Sequence, residues 1–125
     1  MTHAEACRRY GAVRLATMTA LDAFFLLCER AIEDLSEAKA ARARGDRRAE
    51  ETLVRHAREI VLELFASLDR TQGGEVAERL ASLYGFLLLR LKSPAKDADF
   101  DLARTILGTI LDGYRAIQGM GRGGI

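Results

Sequence analysis

Between Glu63 and Leu91 the chain reads ELFASLDRTQGGEVAERLASLYGFLLLRL, two helical patterns of apolar residues that meet at one pair of glycines. Ahead of the pair, Ile60, Leu64 and Leu68 recur four residues apart, with Val61 and Phe65 one position on, so one side of a helix is continuously apolar. After it, Val76, Leu80, Leu83, Leu87 and Leu91 repeat the pattern. Gly73 and Gly74 supply a backbone freedom that any β-carbon removes, and glycine is the usual stop at a helix end. Glu75 then sets a carboxylate at the positive end of the next helix dipole. A chain built around this stretch must contain a helical hairpin, and its other apolar faces have to pack on that hairpin.

The remaining segments supply two more helices. Thr19 with Asp22 three residues on has the form of a capping box, so the first long helix starts near Ala20. Leu21, Phe25, Cys28, Ile32 and Leu35 face inward there, with Phe24, Leu27 and Ala31 beside them, and Gly45 ends the run. Asp46 is the N-cap of a second helix that reaches about Asp69, with Leu53, Ala57, Ile60, Leu64 and Leu68 inward and Arg48, Glu51, Arg55, Glu59 and Glu63 outward. The third helix fills Glu75 to about Lys92, where Ser93-Pro94 stops it. Asp97 or Asp99 caps the fourth. Its apolar lines are Ala103, Ile106, Ile110 and Ile117, and beside them Leu107, Leu111 and Tyr114.

No stretch alternates with period two, so the expected fold is all-α: an antiparallel four-helix bundle with an N-terminal arm. Residues 1–16 form that arm, 17–118 the bundle, and the Gly-rich 119–125 a disordered tail. With 19 basic and 18 acidic residues, the formal charge of +1 gives no general attraction to nucleic acid or to an anionic membrane. Neither a signal peptide nor an apolar run long enough for a membrane span is seen, and the two cysteines, Cys7 and Cys28, fit no zinc or disulfide spacing. The expected compartment is the cytoplasm, with no metal, no cofactor and no membrane span.

From Tyr10 to Ile117 the chain resembles the flagellin export chaperones. Tyr10, Leu15, Thr17, Met18, Thr19 and Ala20 are similar to that family's N-terminal lead, and LLCERAI, Leu26 to Ile32, to its next motif. Gly45-Asp46, Ile60, Glu63-Leu64 and Ser67-Leu68-Asp69 follow in order, then Gly73-Gly74-Glu75-Val76-Ala77 with Leu80 and Leu83-Tyr84. Ala20, Cys28, Glu29-Arg30, Gly85 and Tyr114 depart from the family's usual Pro, Tyr, Asp-Gly, Asp and Trp. The resemblance implies a non-enzymatic chaperone that binds the disordered C-terminal segment of flagellin in apolar surface grooves. It also implies the flagellar anti-sigma factor as a further partner.

Apolar positions flanking the core stripes are the candidate client contacts: Val54, Val61, Phe65, Tyr84, Leu88, Leu107 and Leu111. Phe86 and Leu89 point away from the third helix's core line, and Tyr10 and Leu15 on the arm complete the set. An alternative is a histidine-containing phosphotransfer bundle using His56, set between Arg55 and Ala57-Arg58. The Lys-Gly pair that usually follows such a histidine is missing, and a solvated surface histidine is the expectation. A regulatory adaptor of flagellar assembly is a further alternative that keeps the same bundle.

Overall fold

The computed structural model describes residues 20–123 except 70, 72 and 93–95. Four helices follow one another: α1 (Ala20–Ala43), α2 (Arg47–Ala66), α3 (Gly74–Arg90) and α4 (Asp97–Gly123). No strand occurs among the described residues. The expected start of α1 at Ala20 is observed. Its proposed cap Thr19 and the arm carrying Tyr10 and Leu15 lie outside the described residues.

The helix boundaries follow from local chemistry. Gly45, at φ +76°, ends α1 in the left-handed region, where Asp46 N–H donates to the Ala41 carbonyl and Gly45 N–H to the Arg42 carbonyl. The Asp46 carboxylate then accepts from Ala49 N–H at 3.1 Å, the N-cap bond of α2. At the head of α4, Asp99 accepts from Lys96 N–H at 2.8 Å while its own N–H donates back to the Lys96 carbonyl. The α2 helix stops at Ala66, three residues before the expected Asp69, because Ser67 closes it. There Ser67 N–H donates to Glu63 O and Ser67 Oγ to Leu64 O. The α4 helix runs to Gly123, past the expected boundary at 118. A formed helix gains one hydrogen bond per residue added, and no proline stands in this stretch to block it.

The helices form an all-α antiparallel four-helix bundle. Around it, α1 packs on α2 and α4, and α3 closes the ring against α2 and, most thinly, against α4. Neither diagonal pair has close backbone contacts among the described residues. Ion pairs Glu29–Arg115, Lys39–Asp101 (2.9 Å) and Arg42–Asp97 (3.8 Å) run along the α1–α4 seam in opposite chain directions. Such exposed pairs add at most ~1 kcal/mol each, so they select the antiparallel register more than they stabilise it. Stability comes from the interior, where Cys28, Leu35, Ile60, Leu64, Tyr84, Leu87, Phe100 and Leu107 belong to one buried cluster.

Candidate functional site

Ten consecutive residues of α3, Leu80 to Leu89, read LASLYGFLLL and contain no charge. A helix apolar all round belongs inside a protein, and this one is covered on one side only. Ala77, Leu80, Ala81, Tyr84 and Leu87 are buried. Val76 is 66% exposed, Leu83 38%, Phe86 37% and Leu89 73%. Isolated exposed apolar residues are ordinary on protein surfaces, but four along one helix make a patch. Fully covering such a side chain is worth about 1.5–3 kcal/mol each.

Both flanks of this face continue onto neighbouring helices. Arg90 meets Asp99 at 3.6 Å across the α3–α4 seam, which fixes how the two antiparallel helices line up. Counting back from that pair sets Phe86 level with Leu102 and Leu83 level with Ile106, with Val76 near Gly113 and Ile117. Leu102 and Ile117 are exposed, so both helices carry exposed apolar side chains beside the α3–α4 seam. On the other flank, Val54 and Phe65 of α2 are partly buried, Leu62 is exposed, and Leu88 and Leu89 of α3 lie on the side of that helix toward α2.

At the end of the bundle that holds the α2–α3 turn, a cavity of about 380 Å³ opens among Phe24, Leu64, Leu68, Val76, Leu80, Tyr84 and Tyr114. Ser67, Asp69 and Gly73 form its polar rim. The Phe24 and Tyr114 rings lie 4.5 Å apart between centroids, joining the start of α1 to the far part of α4 across this opening. Turn geometry holds the rim in place. Asp69 accepts from Thr71 N–H and Oγ1, and Gly73 N–H donates to the Asp69 carbonyl at 2.8 Å. A β-carbon on Gly73 would stand 2.6 Å from Ala77 Cβ and 2.7 Å from the Asp69 carbonyl oxygen. Gly74 has φ +56°, so each glycine of the pair has its own reason to be there.

The expected contact residues divide by burial. Phe86 and Leu89 are exposed as read from the sequence, and Val54, Phe65 and Leu88 lie at the margin. Val61, Tyr84, Leu107 and Leu111, read as flanking the core, are inside it. The correction has a geometric cause: the buried stripe of α3 runs Ala77, Leu80, Tyr84, Leu87 and Leu91, which turns Val76 and Leu83 outward from the inward places expected for them. On α4, Ala103, Leu107, Ile110 and Leu111 are buried, and Ile117, expected inward, is exposed. Val76, Leu83, Leu102 and Ile117 were therefore missed as surface residues, as was the aromatic pair Phe24 and Tyr114. Aromatics near two helix ends were the available signal for the last two.

Burial raises the Tyr84 phenol well above its usual range, with Cys28 and Tyr114 acting in the same direction. The Cys28 thiol is pushed up to about 12, first by burial and then by Glu29, which leaves it an inert core residue. His56 is half-buried rather than solvated; it lies in the α1–α2 seam with Asp34 nearby. Among the described residues no group of His, Cys, Asp and Glu is placed to hold a metal ion. No described helix is long and apolar enough to cross a membrane.

Fold and surface together define a four-helix bundle protein with one helix left apolar on its open side. The family model for flagellar protein FliS matches residues 3–120, and the chain belongs to that family of flagellar export chaperones. A comparison with curated proteins gives no match.

Proposed function

We propose that this protein is a cytoplasmic, non-catalytic chaperone that holds the C-terminal segment of flagellin against α3 and so prevents polymerisation before secretion. The charge-free, half-covered run Leu80 to Leu89 is the observation that carries this reading. A client helix laid along it buries its own apolar face against the exposed apolar side chains of α3 and its neighbours. Phe86 and Leu89 touch the client directly, Val54, Phe65 and Leu88 line its α2 side, and Val61, Tyr84, Leu107 and Leu111 hold the surface from beneath. Flagellin is the client favoured by family membership. Ordering such a segment consumes ~2–5 kcal/mol of the gross interaction energy, so many shallow contacts have to act together.

Calorimetric titration with a synthetic flagellin C-terminal peptide, followed in parallel by circular dichroism, tests the reading. Saturable binding with more helical signal than the sum of the parts is expected. No binding at tens of micromolar would overturn it. A peptide from the flagellar anti-sigma factor, the second partner the resemblance implies, is the comparison ligand in the same titration.

A further inference from the structure

Asp34 sits on the buried face of α1 with 1% of its surface exposed, and neither carboxylate oxygen has a hydrogen-bond partner. Ionised carboxylates are almost never left in this state, because removing the charge from water costs far more than one weak contact returns. The nearest cation is Arg30, one turn earlier on the same helix, whose Nε stands 3.5 Å away without a hydrogen bond and whose side chain is mostly in solvent. Glu33 and Glu37 add like charge on α1. Across the seam α2 presents His56, followed one turn on by Glu59. Of the charged residues that α4 sets against α1, Asp97, Asp101 and Arg115 pair with Arg42, Lys39 and Glu29, and the partly buried Arg104 lies 3.4 Å from Asp101. The carboxyl group is thus enclosed where α1 and α2 make their most extensive contact.

We propose that Asp34 is a proton-operated latch on the α1–α2 seam: protonated, it lets the seam close as a neutral interface, and ionised, it loosens the two helices. Burial, the largest influence, raises its pKa from 3.8 to about 6, against the lowering effect of Arg30 and His56. The sign follows from linkage. A carboxyl whose pKa is higher in the folded state than in the unfolded chain binds more protons when folded, so stability falls as pH rises from about 4 to about 6 and stays low above that. Each tenfold gain in the carboxyl's proton affinity on folding changes the unfolding equilibrium tenfold, which makes the full effect about 100-fold. This is opposite to the usual behaviour of surface carboxylates, which stabilise a fold as they ionise.

Two measurements on the full chain test the latch. Carbon-detected NMR of the aspartate carboxyls should give one residue, Asp34, titrating near pH 6; a midpoint near 4 overturns the proposal. Urea unfolding at pH 5 and pH 7.5 should show wild type losing about tenfold in its folding equilibrium, with Asp34→Asn flat across the range and more stable at pH 7.5. A pH dependence unchanged in Asp34→Asn also overturns it. Arg30→Gln leaves the buried packing intact and should raise the Asp34 midpoint further, which keeps the test decisive if Asp34→Asn fails to fold. His56→Gln removes the facing imidazole: the latch requires that most of the pH dependence survive this change.

Discussion

Leu107 and Phe86 are both large and apolar, yet they stand in opposite surroundings. Leu107 is sealed in the core, whereas Phe86 keeps over a third of its surface in water, with the Arg90 guanidinium 5.0 Å from its ring centroid. Their substitutions should therefore fail in different assays. Leu107→Ala removes buried contacts and leaves a cavity, so urea unfolding should register a loss of about 2–5 kcal/mol. Phe86→Ser should stay within ~1 kcal/mol of wild type in the same measurement while weakening the client peptide about tenfold in calorimetry. If Phe86→Ser binds peptide as wild type does, the α3 face is not the client surface. Phe65→Asp is intermediate: its half-buried position means that lost binding counts only where the thermal transition survives.

At the scale of the element, the α2–α3 turn and the α3 face illustrate what sequence does and does not encode. Helix ends were legible because single residues determine them: Gly45 takes a positive φ, Asp46 caps α2 through Ala49, and the Gly73-Gly74 pair makes the reversal. Two glycines of α3's neighbourhood should now respond in opposite senses. Gly73→Ala forces a β-carbon onto Ala77 and the Asp69 carbonyl and should destabilise by about 1–3 kcal/mol. Gly85→Ala meets nothing within 4 Å inside a helix and should stabilise by about 0.5–1 kcal/mol. Thermal midpoints of the two variants check both signs. The rotation of α3 was not legible, because a run in which every position is apolar or small has no polar contrast to set its phase. With Leu80 and Leu87, Val76 and Leu83 fit an inward line as well as Ala77 and Tyr84 do, and only packing against the rest of the bundle selects the second pair. On α2 and α4, which do carry charged residues, the width of the buried stripe was what the pattern left open: Val61 and Leu111 fall inside it, and Leu102 and Ile117 outside.

For the whole molecule, the balance between closed and open sides matters most. The α1–α2 and α1–α4 seams are the broad ones, while α3 rests on α4 along a thin contact that carries the ion pair Arg90–Asp99. The most apolar run of the chain therefore occupies the least enclosed position in the bundle, an arrangement that folding alone does not call for and that a partner's covering would complete. Membership in the flagellar protein FliS family supplies the class of partner, and the proposed function sets that partner against α3. Mapping backbone amide shifts during titration with the flagellin C-terminal peptide tests this most directly. The account predicts that the perturbed amides form one continuous patch over Val76, Leu83, Phe86 and Leu89 and the facing edges of α2 and α4, with the outer face of α1 unchanged. A patch centred on α1, or saturation with no change along α3, would contradict it.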